Sequence, residues 1–179
     1  MSAGRPERIV LVGFMGAGKS TVGPLLAVRL GWGFVDLDDV IEEEAGHRVH
    51  EIFASEGEAG FRERERAAAE ALKDRRRLVL ATGGGAFAAA PTRSALSQGA
   101  LTVWLRCELE VLLSRIPRDG SRPLAANRAT IAALFRGREP LYALADLTVD
   151  TTRAAPDEVA RAIAEAALSR GKSGGTTAG

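Results

Sequence analysis

This chain has little cysteine, no long apolar run and no excess of charge of either sign. Cys107 is its single cysteine, so no disulfide can form within the chain, which suits a reducing compartment. No apolar run approaches the roughly 18 residues of a membrane-spanning helix, and the start of the chain does not resemble a signal peptide. The net charge of +1 gives no reason to expect nucleic-acid binding. We therefore expect a cytoplasmic monomer that binds neither nucleic acid nor membranes.

Lysine is also scarce, with Lys19, Lys73 and Lys172 as the three lysines among 24 basic residues. The chain uses arginine almost everywhere else, yet it has lysine at position 19, inside a glycine-rich segment. A compact ammonium group fits among phosphate oxygens better than the planar guanidinium fork of arginine does. The choice of lysine therefore draws attention to the residues around position 19.

Residues 13–20, Gly-Phe-Met-Gly-Ala-Gly-Lys-Ser, match the P-loop pattern of glycine, four free positions, glycine, lysine and serine or threonine. The apolar residues 9–12 before them predict a buried strand, and the spacing of apolar residues after Lys19 predicts a helix. In such a loop the backbone N–H groups point at a phosphate, and the helix start adds its positive dipole end. Lys19 would reach the β- and γ-phosphates, and the Ser20 hydroxyl would ligate Mg²⁺.

Strands and helices alternate along the rest of the chain, which predicts an α/β fold with a parallel sheet covered by helices on both faces. Five strands are predicted at about 9–12, 34–36, 78–81, 101–105 and 147–149. Helices are predicted at about 19–30, 40–46, 55–74, 91–98, 108–116, 129–136 and 156–168. We expect residues 1–170 to form a single domain and residues 171–179 to form a disordered tail.

Three polar or glycine-rich segments directly follow predicted strands: the P-loop, residues 36–39 and residues 82–85. Ligands of parallel sheets bind beyond the carboxyl ends of the strands. We therefore expect these three segments to face one crevice.

Asp36 and Asp38 are two residues apart at the end of a predicted strand. One carboxylate could lean toward Mg²⁺, while the other orients a substrate hydroxyl and accepts its proton. Asp39 and Glu42 fit instead the acidic charge that is typical of a helix start.

Residues 55–58, Ser-Glu-Gly-Glu, have the spacing of a capping box, so the helix that carries Arg62 is predicted to begin there. A surface ion pair with Glu58, one helical turn back, would account for Arg62 by itself. Gly83-Gly84-Gly85 could be a loose strand exit or a place where the backbone closely approaches a ligand. The sequence leaves both readings open.

Arg122 precedes Pro123 within a segment, about 117–128, that is rich in proline, glycine and arginine. It could lie in a solvated loop, or it could belong to a lid and reach the transferring phosphoryl group. Arg115 and Arg138 are ambiguous when taken alone.

Together and in order, these segments resemble the shikimate kinase family from Arg8 to about Leu168. The motifs that carry the resemblance are Gly13 to Thr21, Asp36-Leu37-Asp38, Phe61-Arg62, Gly83-Gly84-Gly85, Arg122-Pro123-Leu124 and Arg138-Glu139-Pro140-Leu141-Tyr142. The resemblance implies Mg²⁺- and ATP-dependent phosphorylation of the shikimate 3-hydroxyl in aromatic amino acid biosynthesis. It also implies the nucleoside monophosphate kinase-like fold, with substrate-binding helices at about 39–74 and a lid at about 117–128.

The resemblance further implies roles for individual residues. It implies that Asp38 contacts the substrate hydroxyls and acts in catalysis with Lys19 and Arg122, and that Asp36 stands near the metal. The nucleotide would be bound by Gly16, Ala17, Gly18, Lys19, Ser20, Thr21, Arg115 and Arg122, with Arg115 stacking on adenine. Shikimate would be bound by Asp38, Arg62, Gly83, Gly84, Gly85 and Arg138, with Arg62 and Arg138 on its carboxylate. Whether Arg153 and Pro156 contact adenine stays open.

Two other functions fit parts of the pattern. Another small-molecule P-loop kinase, such as a gluconate kinase, would not need a carboxylate clamp at Arg62 and Arg138. A small GTPase would read guanine with an Asn-Lys-x-Asp segment, and residues 127–130, Asn-Arg-Ala-Thr, lack both the lysine and the aspartate.

Overall fold

The computed structural model describes residues 6–116 and 127–170. Within this part of the chain, five parallel strands form one sheet in the order β2-β3-β1-β4-β5. The strands are β1 (Arg8–Val12), β2 (Gly33–Asp36), β3 (Leu78–Ala81), β4 (Leu101–Arg106) and β5 (Leu147–Asp150). The central strand β1 is buried along its whole length, which explains its continuous apolar run, because helices cover both faces of such a sheet. The α/β fold predicted from the sequence is confirmed.

The described helices connect the strands in the predicted alternation. They are α1 (Lys19–Leu30), α2 (Leu37–Ala45), α3 (Val49–Leu72), α4 (Ala90–Ser97), α5 (Leu109–Arg115), α6 (Arg128–Tyr142) and α7 (Pro156–Arg170). Helix α1 packs against α7, and α3 packs against both α2 and α4. In the described ranges we find no helix with the length and apolar character needed to span a membrane. The predicted tail and most of the predicted lid lie outside the described residues.

Helix α2 begins three residues earlier than the sequence predicts. Asp36 is its N-cap, and an Asp36 carboxylate oxygen accepts a hydrogen bond of 3.1 Å from the backbone N–H of Asp38. The capping contact starts the helix at once after β2. Asp38 therefore lies in the first turn of a helix and not at the end of a strand.

The predicted capping box at residues 55–58 is wrong. The Ser55 hydroxyl donates to the carbonyl of Glu51, 2.8 Å away, because the chain is already helical from Val49. The Glu51 carboxylate caps this earlier helix start, because it accepts a hydrogen bond of 2.7 Å from the backbone N–H of Arg48. The helix is interrupted at Gly57, whose φ of 72° and ψ of −177° are not helical, so α3 bends before it reaches Arg62.

Helix α6 is longer than predicted, because it continues through Pro140 to Tyr142 instead of ending near residue 136. A proline inside a helix removes one backbone hydrogen bond. Burial of Phe135, Arg138 and Tyr142 on one side of the helix offsets that loss. The additional turns place Arg138 in the interior.

Arg8, the first residue of β1, is 2% exposed. Its guanidinium donates to the carbonyls of Leu72 at 2.7 Å and Gln98 at 2.6 Å, and it also reaches those of Ala95 and Leu96 at 3.3 Å. These carbonyls lie at the carboxyl ends of α3 and α4, where helices leave acceptors without partners. Burial lowers the pKa of Arg8, and Asp74 opposes that change. Arg8 therefore ties two helix ends to the central strand.

Candidate active site

A cleft of about 780 Å³ opens at the carboxyl ends of the strands. It is lined by residues of the P-loop and of α2, and by Thr82 and Gly84 after β3. The sequence prediction that the three segments after β1, β2 and β3 face one crevice is therefore confirmed.

The P-loop places Lys19 at the start of α1. Gly18, the residue before it, has a φ of 99°, a backbone conformation that residues with a Cβ atom rarely adopt. The Lys19 side chain is 8% exposed, and its Nζ donates to the carbonyls of Gly13 at 2.7 Å and Phe14 at 2.8 Å. The loop thus wraps around its own lysine at the floor of the cleft.

Ser20 and Asp36 meet at the edge of the same cleft. The Ser20 hydroxyl donates to the Asp36 carboxylate at 2.8 Å. Hydroxyl and carboxylate oxygens are hard ligands of the kind that Mg²⁺ takes, and this ion usually keeps several waters and binds substrate phosphates. Within residues 6–116 and 127–170, no group of three or more His, Cys, Asp or Glu side chains could hold a metal. The pair therefore suits a Mg²⁺ ion shared with phosphates.

A second pocket adjoins the cleft on the side of α3 and α6. Asp38 and Met15 line both cavities, so the two lie side by side. The smaller pocket brings together the residues that the sequence analysis groups around the substrate. Its lining includes Asp38, Arg62, Gly83, Gly84, Gly85 and Arg138.

Two of the three glycines after β3, Gly83 and Gly85, lie directly against neighbouring side chains. A Cβ atom at Gly83 would lie 2.7 Å from an Asp38 carboxylate oxygen, and one at Gly85 would lie 2.3 Å from Nη2 of Arg62. Both distances are shorter than real Cβ contacts allow. The backbone therefore passes directly beside Asp38 and Arg62.

Arg62 has two carboxylate partners on α3, and one of them, Glu65, lines this pocket. The predicted pair with Glu58 is present at 3.2 Å, and a second pair joins Nη1 to Glu65 Oε2 at 2.9 Å. The Glu65 side chain is fully buried, while Glu58 is largely exposed. Burial raises the pKa of Glu65 to about 6, with Asp38 adding to the rise and Arg62 and Arg138 opposing it. The buried partner is the stronger anchor for the guanidinium, because surface ion pairs contribute little.

Arg138 and Tyr142 come from successive turns of α6. Arg138 is 8% exposed, and its guanidinium carbon lies 6.0 Å from the centre of the Phe14 ring. The Tyr142 hydroxyl donates to the carbonyl of Gly84, and burial raises the pKa of Tyr142 to about 12. Helix α6 therefore supplies a buried cation and also holds the glycine segment in place.

Arg115, at the end of α5, lies beside the P-loop. Its Nη1 donates to the carbonyl of Gly16 at 3.4 Å and lies 3.8 Å from the sulfur of Cys107. The cysteine is buried. Arg122, the predicted lid arginine, lies outside the described residues.

Glu65, Tyr142 and Thr151 are site residues that the sequence analysis does not assign. Glu65 sits in a stretch of alternating arginine and glutamate that reads as a solvated helix face. The Thr151 hydroxyl donates to the carbonyl of Ala17 at 3.2 Å and so supports the P-loop from the end of β5. No sequence signal marks Thr151. The position of Glu65 three residues after Arg62 is a weak signal that fits any surface pair equally well.

Comparison with known proteins identifies the family of this chain. The sequence profile of the shikimate kinase family matches residues 15–168. The chain is 49% identical to a shikimate kinase from Moorella thermoacetica over 163 residues, which is 90% of this chain and 94% of the relative. A structure of shikimate kinase from Acinetobacter baumannii in complex with shikimate superimposes with a TM-score of 0.87 at 42% identity, covering 91% and 93% of the two chains. A shikimate kinase structure from Aquifex aeolicus gives 0.82 at 34% identity, covering 94% and 99%. The chain belongs to the shikimate kinase family.

Proposed function

We propose that this chain transfers the γ-phosphoryl group of ATP to the 3-hydroxyl of shikimate. One observation carries the proposal: Arg62, Arg138 and Asp38 line one pocket, and that pocket shares Asp38 and Gly84 with the lining of the cleft that contains the P-loop. Two guanidiniums suit a carboxylate, and an acidic side chain suits a hydroxyl. This is the donor and acceptor set that a small hydroxylated acid requires.

ATP would be held by the P-loop. The backbone from Gly16 to Ser20 and the N-terminus of α1 would surround its phosphates. Lys19, which now donates to two loop carbonyls, would turn its ammonium toward the β- and γ-phosphates. Arg115 lies beside Gly16 and lines the cleft, a position from which it would stack on adenine.

Mg²⁺ would be held by Ser20 and Asp36, whose oxygens already lie in hydrogen-bond contact. When bound, the ion neutralises charge on the phosphates. Asp36 also accepts a hydrogen bond from the backbone N–H of Asp38. The same carboxylate would therefore ligate the metal and cap the start of α2. Arg122 would add positive charge near the transferred group from the segment that follows α5.

Shikimate would lie between the arginines and Asp38. Arg62 and Arg138 would bind its carboxylate, and the closely packed glycines 83–85 would let the ring approach the backbone. Asp38 would orient the 3-hydroxyl toward ATP and accept its proton. We further propose that the enzyme acts as a monomer in the cytoplasm.

A coupled ADP-release assay tests the proposal. We expect ADP release with MgATP and shikimate, and little release with gluconate or with no acceptor. The reason is that gluconate has a flexible open chain, which would not place a hydroxyl at Asp38 while its carboxylate occupies the arginines. Equal turnover of gluconate and shikimate would contradict the specificity proposed here, and no turnover of shikimate would contradict the reaction.

A further inference from the structure

We propose that shikimate binding is coupled to the uptake of one proton by Glu65. The inference rests on the proposed function, because it requires a substrate carboxylate at Arg62 and Arg138. It concerns how the pocket balances its charges when the substrate arrives. The proton would come from solvent and form an O–H bond on a Glu65 carboxylate oxygen.

Among the described residues, Arg62 is the one side chain that donates a hydrogen bond to the Glu65 carboxylate. The relative exposure of Glu65 is 0%, and its Oε2 accepts from Arg62 Nη1 at 2.9 Å. The other oxygen, Oε1, is buried and accepts no hydrogen bond from the described residues. A buried acceptor without a donor is costly, and the cost is larger for a charged group. The geometry thus leaves Glu65 poorly compensated even before a substrate binds.

The charges around Glu65 are balanced without a substrate. The titratable groups that face it are Arg62 and Glu58 on α3, Asp38 on α2, and Arg138 and Tyr142 on α6. Glu58 is largely exposed and therefore screened by solvent. Among the described residues of the pocket, two guanidiniums consequently face two carboxylates, Asp38 and Glu65.

A substrate carboxylate would add a third anion to two cations. It would also compete with Glu65 for the guanidinium of Arg62, which Glu65 already occupies at Nη1. Placing like charges together in a buried site favours the protonated form of one of them. Burial already raises the pKa of Glu65 to about 6, so a further rise on binding brings it to neutral pH. Glu65 is fully buried, whereas Asp38 also lines the open cleft, and we therefore assign the proton to Glu65.

Isothermal titration of shikimate into the nucleotide-free protein at pH 7 tests the inference. The titration is repeated in PIPES and in imidazole, which differ in ionisation enthalpy. We expect the binding enthalpy to depend on the buffer, with uptake of about half a proton or more per shikimate bound. Because binding takes up a proton, the affinity should fall as pH rises, with Kd increasing several-fold between about pH 6 and pH 8. A buffer-independent enthalpy with normal binding would overturn the inference.

Two variants assign the proton to its carboxylate. Glu65→Gln mimics the protonated side chain, so it should still bind shikimate but without proton uptake and with a Kd that no longer changes with pH. Glu58→Gln, which alters the exposed partner of the same arginine, should retain the uptake. Proton uptake that persists in Glu65→Gln would overturn the assignment.

An infrared measurement keeps the inference testable if Glu65→Gln fails to fold. Addition of shikimate to the unmodified protein should produce a carbonyl stretch of a protonated carboxyl group, and absence of that band would overturn the inference. Failure of shikimate to bind the unmodified protein at all would instead contradict the proposed function.

Discussion

Ser20 donates a hydrogen bond of 2.8 Å to Asp36, and this contact joins the start of α1 to the end of β2. Strand β2 is not the neighbour of β1, because β3 lies between them in the sheet. Two segments that are separated along the chain and across the sheet thus supply the two oxygens proposed for Mg²⁺. The same carboxylate caps α2, so the metal pair and the position of Asp38 depend on each other.

Asp36→Asn should raise the Mg²⁺ concentration for half-maximal activity by about tenfold, since an amide oxygen is a weaker ligand than a carboxylate. The amide retains the hydrogen-bonding capacity to cap α2, so the thermal midpoint should change little. Titration of ADP release with Mg²⁺ at saturating ATP measures the effect. Glu43→Gln, on the exposed side of α2, is the control. Identical Mg²⁺ curves for Asp36→Asn and the unmodified enzyme would argue against the metal site.

Lys19→Ala should reduce kcat by about a thousandfold or more, because a charge that stabilises the transferring phosphoryl group is lost. The P-loop backbone remains, so circular dichroism should show a folded protein. Lys73→Ala removes a lysine that pairs with Glu70 far from the cleft and should leave kcat unchanged. Unchanged ADP release in Lys19→Ala would refute the assignment of the P-loop.

Arg138→Ala should weaken shikimate binding by about 2–4 kcal/mol, the range for loss of one partner from a buried charge pair. ATP affinity should change much less, because Arg138 lines the substrate pocket and is not among the residues that line the cleft of the P-loop. Arg136→Ala, at an exposed position of the same helix, is the matched control. A loss confined to ATP affinity would show that the carboxylate clamp is misassigned.

Gly85→Ala should raise the KM for shikimate by about tenfold or more, because the added Cβ would lie 2.3 Å from Nη2 of Arg62 and displace it. The guanidinium is the end of a flexible side chain, so the fold should persist. Gly137→Ala is the control, since a Cβ there meets nothing within 4 Å. That helical substitution should stabilise the protein by about 0.5–1 kcal/mol. Equal KM values for the two variants would contradict the close-approach interpretation.

Arg8→Met should lower the free energy of unfolding by about 2–5 kcal/mol, because it leaves buried carbonyls at the ends of α3 and α4 without a donor. The KM values should stay the same, since Arg8 lies at the amino end of β1 and the cleft lies at the carboxyl ends. Urea denaturation measures the change. Arg75→Met, at an exposed position, should have little effect. A small change in both variants would show that the carbonyls find other partners.

Patterns within single segments predict the elements but not all of their limits. The strand at 78–81 and the helix at 19–30 match the structure residue for residue, because a buried apolar run and a glycine turn are local signals. The end of α6 was not predictable in this way, since Pro140 ordinarily stops a helix and burial of Tyr142 outweighs that tendency. The start of α2 was missed because one carboxylate, Asp36, can serve a strand end or a helix cap equally well.

The sequence by itself determined the phosphate-binding loop, because residues 13–20 are contiguous along the chain. It also determined the crevice at the strand ends, because segments that follow parallel strands meet at one edge of the sheet. Only the tertiary structure decided that Glu65 is buried against Arg62, that Arg138 turns inward and that Arg8 binds the ends of two helices. From sequence alone, a charged side chain is predicted to be exposed, because its burial requires partners that the sequence does not identify. Those partners come from other elements, and the fold alone brings them together.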